Sequence, residues 1–156
     1  MTQDSAQDEA RLATVLEAVA AAFGVDEARV AFARDEEGGL LASVEGDGAG
    51  ALVGRNGEVI DAIQYIASQV VGRGEGGRRR VGVDAGGYRA RREALLTDLA
   101  NRAANEAVEF QEEIELDAMT PHDRRIVHMA LKERTDVVTR SEGEEPRRRI
   151  VVEPAE

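Results

Sequence analysis

The sequence predicts an α+β protein made of two small modules. Apolar residues recur at helical spacing in several segments, and short apolar runs bounded by glycine and polar residues lie between those segments. A chain of 156 residues is long enough for two separate cores, because each half exceeds the size at which a core becomes marginal. The first module is predicted to follow the order α-β-β-α-α-β.

The first module is predicted to span residues 1–87. An apolar stripe over residues 8–23 predicts a helix that ends at Gly24. Two apolar runs, 29–35 and 40–46, are separated by Glu-Glu-Gly-Gly, which predicts a β-hairpin. A short turn of helix then precedes the tetrapeptide Gly-Arg-Asn-Gly.

The remaining elements of this module follow the tetrapeptide. Residues 58–71 place their apolar side chains on one face, which predicts a helix packed on the sheet. A glycine pair closes the run 78–87, which predicts a third strand. A long helix from about Tyr88 to Phe110 is expected to join the two modules.

The second module is predicted to span residues 88–156. Its central helix has a well-specified start, with Thr120 as N-cap, Pro121 at the first helical position and Asp123 reaching back as in a capping box. The C-terminal segment reads as two strands around a polar turn. The second module is therefore expected to be a small α/β domain.

Charge is distributed unevenly along the chain. The formal net charge is −11, yet residues 51–92 hold eight arginines against four acidic residues. Affinity for a phosphate backbone depends largely on Lys and Arg, so this segment indicates an anionic partner. The alternative is that acidic surface keeps the protein soluble and the arginines balance it locally. The densest part of the segment, a candidate nucleic-acid contact, is Arg78, Arg79 and Arg80.

The tetrapeptide Gly54-Arg55-Asn56-Gly57 is the first candidate site. Two glycines three apart allow positive φ angles and close approach of a ligand, and Arg55 would neutralise a phosphate. Asn56 could donate a hydrogen bond. The first amides of the following helix are expected to be unpaired and to favour an anion. The alternative is a glycine turn that only starts a helix.

The second candidate site is the Arg-x-x-x-His sequence on the capped helix. At about 100° per residue, one side of this helix collects basic side chains and the other collects apolar ones. An Arg and a His four residues apart can hold one phosphate or stack on a base. The alternative is an ordinary solvated helix face. The candidate residues are Arg124, Arg125, His128 and Lys132, with Arg147, Arg148 and Arg149 extending the surface from the closing strand.

Taken together, these segments resemble the bacterial Jag family, also called KhpB or SpoIIIJ-associated proteins. The resemblance covers about residues 8–154 and implies a type II KH domain followed by a small R-three-H domain. Such a KH domain clamps the backbone of about four single-stranded nucleotides at its GxxG loop. Many members carry an additional N-terminal Jag-specific domain, whereas this chain starts almost directly at the KH helix.

The resemblance implies a single-stranded RNA-binding protein, with single-stranded DNA as a second candidate ligand. The expected role is a post-transcriptional regulator or RNA chaperone linked to cell-envelope and elongation control. A small single-KH-domain protein similar to KhpA is an expected partner. The alternative function is a protein-protein adaptor of the membrane insertase pathway with little direct RNA binding.

Other classes of function find little support in the sequence. The chain has no cysteine and only two histidines, His122 and His128, and it lacks a Walker A motif and a dinucleotide fingerprint. No catalytic residue, metal site or cofactor is therefore predicted, and an enzyme is the least expected class. A basic leader and long apolar runs are also missing, so no membrane insertion and a cytoplasmic location are expected.

Overall fold

The computed structural model describes residues 3–74 and 77–155, with side chains over 5–72 and 79–155. It divides into two compact units, Met1–Arg89 and Ala90–Glu156. The division falls two residues after the one predicted from the sequence. Both units mix helices with a small sheet, so the predicted α+β class is confirmed.

The first unit contains two helices, five strands and two short 3₁₀ turns in its described part. Its sheet has the order β1-β2-β5, with β1 antiparallel and β5 parallel to β2. This order and the two helices match a KH-like arrangement. The elements are α1 (Gln3–Ala22), β1 (Asp26–Arg34), β2 (Leu40–Asp47), the 3₁₀ turns Ala49–Leu52 and Arg55–Gly57, α2 (Glu58–Val71), β3 (Arg73–Gly74), β4 (Gly77–Arg78) and β5 (Val81–Ala85).

One apolar core holds this unit together, and α1 and α2 supply much of it. Leu12 and Ile60 are completely buried in the core, and alternate residues of β2 and β5 face them. Complete burial of a side chain of this size contributes about 1.5–3 kcal/mol. The hairpin turn is closed by Asp35, whose carboxylate accepts hydrogen bonds from the amides of Glu37 (3.0 Å) and Gly39 (2.6 Å). The core thus fixes where α2 and its preceding turn lie.

The structure confirms most of the predicted elements and shortens one. The helix predicted over 58–71 has those bounds, and a 3₁₀ turn precedes the tetrapeptide as expected. The predicted strand 78–87 is reduced to Val81–Ala85. A short hairpin, in which β3 and β4 have two residues each, lies before this strand and was not predicted.

The second unit packs two helices against a three-stranded sheet of order β6-β8-β7, all antiparallel. Its core includes Leu96, Ala100 and Val127. Strand β6 was not predicted, because two residues carry no period. The elements are α3 (Tyr88–Phe110), whose first two residues belong to the first unit, β6 (Ile114–Glu115), α4 (Pro121–Leu131), β7 (Val137–Glu142) and β8 (Arg149–Pro154).

The two faces of this sheet differ in chemistry. Alternation along β8 places Ile150 and Val152 in the apolar core. The opposite face carries a charged layer in which Arg140 pairs with Glu113, Glu142 and Glu153, and Arg149 pairs with Glu115. Val151 of β8 pairs in register with Arg140 on β7 and with Glu115 on β6, and it is fully buried between them. Long arginine side chains can cover apolar surface in this way.

Helix α4 starts as the sequence predicts, with one difference at Asp123. Thr120 has extended backbone angles, and its hydroxyl accepts a hydrogen bond from the Asp123 amide at 3.3 Å. The Asp123 carboxylate, predicted to reach back to the cap, instead accepts two hydrogen bonds from Arg92 on α3, at 2.7 and 3.0 Å. Asp123 is 2% exposed, so this ion pair anchors the start of α4 to α3 inside the second unit.

Candidate nucleic-acid interface

The tetrapeptide Gly54-Arg55-Asn56-Gly57 forms a tight turn with left-handed backbone at three of its four residues. The φ angles are 71° at Gly54, 51° at Asn56 and 84° at Gly57. Glycine adopts such angles without strain, and Asn is among the residues that tolerate them best. The turn geometry therefore favours glycine at positions 54 and 57 and a residue such as Asn at position 56, whatever binds to it.

The two glycines are also needed because the protein packs against them from inside. A Cβ atom on Gly54 would lie 2.3 Å from Cγ2 of Val59 and 3.0 Å from the Val59 amide nitrogen. A Cβ atom on Gly57 would lie 2.9 Å from the hydroxyl oxygen of Tyr88. The sequence suggested that the glycines let a ligand approach the backbone closely. In the structure, the side chains of Val59 and Tyr88 already lie close to the two glycines.

The amides at the start of α2 are less available than expected. The carbonyl oxygen of Val53 accepts hydrogen bonds from Val59 (3.1 Å) and Ile60 (3.2 Å), and the Glu58 amide donates to the Arg55 carbonyl. The expectation of unpaired first amides is therefore wrong for these three groups. The exposed part of the site consists of the side chains of Arg55 and Asn56, for which the described residues supply no hydrogen bond or ion pair.

The basic run after α2 already has carboxylate partners. Arg79 pairs with Asp8 of α1, whose side chain is only 10% exposed. Arg80 pairs with Asp35 and Glu37 in the hairpin turn, and the hydrogen bond from Arg80 lowers the pKa of Asp35. A phosphate at Arg79 or Arg80 would have to displace these carboxylates. The side chain of Arg78 lies outside the described residues.

Arg89 covers the free edge of β5, a role that the sequence did not suggest. Its guanidinium donates to the Asp61 carboxylate (2.8 Å), the Gln64 side-chain oxygen (3.1 Å) and the Val83 carbonyl (3.1 Å). The same Gln64 oxygen accepts from the Val83 amide at 3.0 Å. These bonds pair both backbone groups of Val83 and tie β5 to α2, the helix that follows the glycine turn.

The residues along helix α4 of the second unit differ in how deeply they are buried. Val127 and Leu131 face the core, as does Asp123. The sequence predicts Arg124 on the exposed basic side of the helix. In the structure its side chain is only 11% exposed. Its guanidinium donates to the Met119 carbonyl at 2.8 Å and to both carboxylate oxygens of Glu145, at 2.5 and 3.3 Å.

The other basic residues of α4 lie on its exposed side. His128 is exposed, and its Nδ1 lies 2.6 Å from the hydroxyl of Thr139 on β7. Arg125 and Lys132 are also exposed, and their side chains make no hydrogen bond or ion pair with any described residue. Three of the four predicted residues of this helix therefore face solvent.

The run Arg147-Arg148-Arg149 lies at the end of the β7–β8 turn and the start of β8. Arg147 is exposed in the turn between β7 and β8, and its side chain has no partner among the described residues. Arg148 donates to the Ser141 hydroxyl at 2.7 Å, whereas Arg149 belongs to the charged layer through Glu115 at 2.6 Å. Only Arg149 belongs to β8, and the three side chains have different surroundings: Arg147 is exposed, Arg148 contacts Ser141 and Arg149 pairs with Glu115.

Metal-binding clusters and membrane-spanning helices are absent from the part of the chain that the structure describes. Clusters of three or more His, Cys, Asp or Glu side chains able to hold a metal ion do not occur among residues 3–74 and 77–155. Over the same residues, every helix is too short or too polar to span a bilayer.

Comparison with known proteins identifies the class of the second unit and the relatives of the chain. The R-three-H domain family matches residues 94–154, so the chain contains a domain of this class. The chain is 38% identical over 110 residues to the RNA-binding protein KhpB of Clostridium symbiosum, covering 70% of this chain and 50% of that protein. The resemblance to the KhpB (Jag) family that the sequence predicts is therefore confirmed over the matched part of the chain.

Two further relatives carry the same name. Identity is 34% over 103 residues with the RNA-binding protein KhpB of Lactiplantibacillus plantarum, covering 66% of this chain and 32% of that protein. It is 29% over 111 residues with that of Bacillus subtilis, covering 70% and 53%. The matched region thus spans between a third and about half of the length of these relatives.

Proposed function

We propose that this chain binds single-stranded RNA, mainly through the sugar-phosphate backbone. The observation that carries the proposal is the outward exposure of Arg55 and Asn56 on a turn whose backbone is fixed from inside by Val59 and Tyr88. Because the backbone of the turn is preformed, a phosphate that binds there has to order only the side chains and not the loop. The positive end of the α2 dipole adds a favourable field at this turn.

The second unit supplies further positive charge in the proposal. Arg125, Lys132 and Arg147 are exposed and lack partners among the described residues, so binding a phosphate breaks no ion pair at these positions. His128 stands beside Thr139 on the same unit. We assign Arg79, Arg80 and Arg149 a smaller part, because each has a carboxylate partner.

RNA is the proposed ligand because the three relatives are named RNA-binding proteins. The chain has three Phe, two Tyr and no Trp, which limits base stacking and favours backbone contacts with low sequence specificity. Tyr65 on α2 is 65% exposed and is the aromatic side chain of the first unit that we assign to base stacking. Single-stranded DNA would then bind through the same phosphates.

The cellular role that fits such binding is post-transcriptional regulation or RNA chaperoning in the cytoplasm. We extend the proposal to control of the cell envelope and of elongation, and to pairing with a small KhpA-like protein, as the family resemblance implies. The chain matches only part of its relatives' length, so these roles are proposed for the protein as it acts in the cell.

Titration of a labelled single-stranded oligouridylate at several salt concentrations tests the proposal. We expect affinity to fall steeply with salt, because each neutralised phosphate releases counterions with a slope of about −0.7 per contact. The same oligomer as DNA and as a duplex measures selectivity. Absence of binding at low salt, or a flat salt dependence, would contradict the proposal and favour the adaptor function.

A further inference from the structure

The signature arginine of the second unit is occupied by a carboxylate of the same unit. Both Nη atoms of Arg124 donate to Glu145, one to each carboxylate oxygen. Two parallel donors of a guanidinium match the paired oxygens of a carboxylate and those of a phosphate equally well. Glu145 therefore presents to Arg124 the same pattern of acceptors that a backbone phosphate would present.

Arg124 is held in this orientation from its other side. Its Nη1 donates to the Met119 carbonyl at 2.8 Å, and the side chain is 11% exposed. Glu145, in contrast, is 52% exposed and lies in the turn between β7 and β8. The arginine is thus fixed, whereas its carboxylate partner stands at the surface where another anion can replace it.

A second guanidinium lies near Glu145. Arg148 contributes, after Arg124, to lowering the pKa of the Glu145 carboxyl, and it is positioned by its hydrogen bond to the Ser141 hydroxyl. An anion that replaced Glu145 would meet both cations. The pair that it would break is exposed on the Glu145 side only, so a replacing phosphate has to supply the same paired acceptors to the largely buried Arg124 guanidinium.

We propose that Glu145 competes with nucleic-acid phosphate for Arg124, and so sets the affinity of the second unit. This inference rests on the proposed RNA binding. Backbone phosphate reaches Arg124 only when the Glu145 side chain swings away, and loss of the Glu145 charge leaves the arginine open. Glu145 then sets the affinity, and Arg124 binds phosphate only when the Glu145 carboxylate does not occupy it.

The test compares Glu145→Gln with the matched variant Glu144→Gln. Both remove one negative charge from the same turn, but Glu144 forms no ion pair with any described residue. With a labelled single-stranded oligouridylate, we expect Glu145→Gln to bind about two- to fivefold more tightly than Glu144→Gln. The slope of log affinity against log salt should also steepen by about 0.7, equivalent to one more phosphate contact.

The outcomes separate this inference from the function on which it rests. Equal affinities and slopes for the two variants, with the parent binding, would overturn the inference alone. No binding by the parent and both variants at low salt would overturn both. Weaker binding by Glu145→Gln would show that Glu145 positions Arg124 for binding, which contradicts competition. Thermal unfolding of each variant identifies a loss of affinity that comes from a loss of fold.

A third variant tests the role of Arg124 directly. In an Arg124→Gln background, Glu145→Gln should give no gain over Glu144→Gln, since the arginine that the carboxylate blocks is gone. A gain of the same size in both backgrounds would mean that the effect is a general change in charge, and the competition would be rejected.

Discussion

The hydroxyl group of Tyr88 lies against Gly57, at the position that a Cβ atom would enter. The first residue of α3 therefore supports the turn that starts α2, although about 30 residues separate the two in the sequence. Tyr88 also packs against the core of the first unit. The conformation of the turn is thus coupled to the core, and the backbone that bears the exposed Arg55 is held in place.

Gly57→Ala should destabilise the first unit by about 1–3 kcal/mol, because it places a side chain at positive φ and against the Tyr88 hydroxyl. Chemical denaturation of the full chain measures this loss. Gly50→Ala is the matched control, since Gly50 lies in a 3₁₀ turn without a positive φ, and a Cβ atom there would meet nothing within 4 Å. Equal stability of the two variants would show that Tyr88 does not confine Gly57.

Replacing Arg55 and Asn56 by aspartates should weaken RNA binding at least tenfold, about 1.4 kcal/mol, and leave the fold unchanged. Two carboxylates would repel the backbone at the turn, while Asp tolerates the left-handed angles of Asn56 and is accepted near a helix start. Fluorescence anisotropy and circular dichroism check the two parts of this prediction. The double variant Arg11→Asp, Thr14→Asp on the exposed side of α1 changes the charge equally. Unchanged affinity with an intact fold would mean that the glycine turn only starts a helix.

Arg92→Ala should cost about 3 kcal/mol of stability, because it leaves the buried Asp123 carboxylate without its arginine partner. Arg102→Ala on the same helix removes an exposed pair with Asp98 and should cost less than about 0.5 kcal/mol. Urea unfolding compares the two. If both variants lost the same small amount, the Arg92–Asp123 pair would not anchor α4. Adding Asp123→Asn to Arg92→Ala should restore part of the loss.

Stability should decrease at acid pH. Hydrogen bonds from Arg80, Arg134 and Arg124 hold the pKa values of three carboxyls, Asp35, Asp136 and Glu145, below their ordinary values. A lowered pKa in the folded state stabilises the fold above the unfolded-state pKa, and this contribution disappears as pH falls through the folded-state pKa. For Asp136 the loss begins near the ordinary value of 3.8 and grows below it. Unfolding free energies measured from pH 7 to pH 2 should therefore fall less steeply for Asp136→Asn than for the parent, with the difference confined to pH values below about 4. Identical curves would exclude the Arg134 pair as a source of the pH dependence.

Local signals in the sequence predicted the fold well. The bounds of α2 and α3 were recovered because a glycine turn and a glycine pair precede them, and because their apolar residues keep a helical period. Strands β3, β4 and β6 were missed. Each has two residues, which is too short for an alternating pattern, and each exists only through its pairing with another segment.

The positions of the candidate sites could be predicted from the sequence, but the ion pairs that their arginines form could not. The Gly-x-x-Gly and Arg-x-x-x-His patterns are local and can be read directly. Partners such as Asp8 for Arg79 and Glu145 for Arg124 lie 71 and 21 residues away, and no local pattern joins them. Only the folded chain shows which arginines already have a carboxylate. A surplus of arginine in a segment is therefore a poor measure of the positive charge that it offers to a ligand.

The charged layer on the second sheet has a consequence for self-association. Strand β7 is an edge strand, and its outward face carries Arg140, which is paired with Glu142 on the same strand and with Glu113 and Glu153. A strand from another molecule that added to this edge would have to accommodate these fixed charges, so a foreign strand is a poor partner. The residues that cover Val151 thus also protect an open sheet edge against fibril-like stacking when the protein is concentrated.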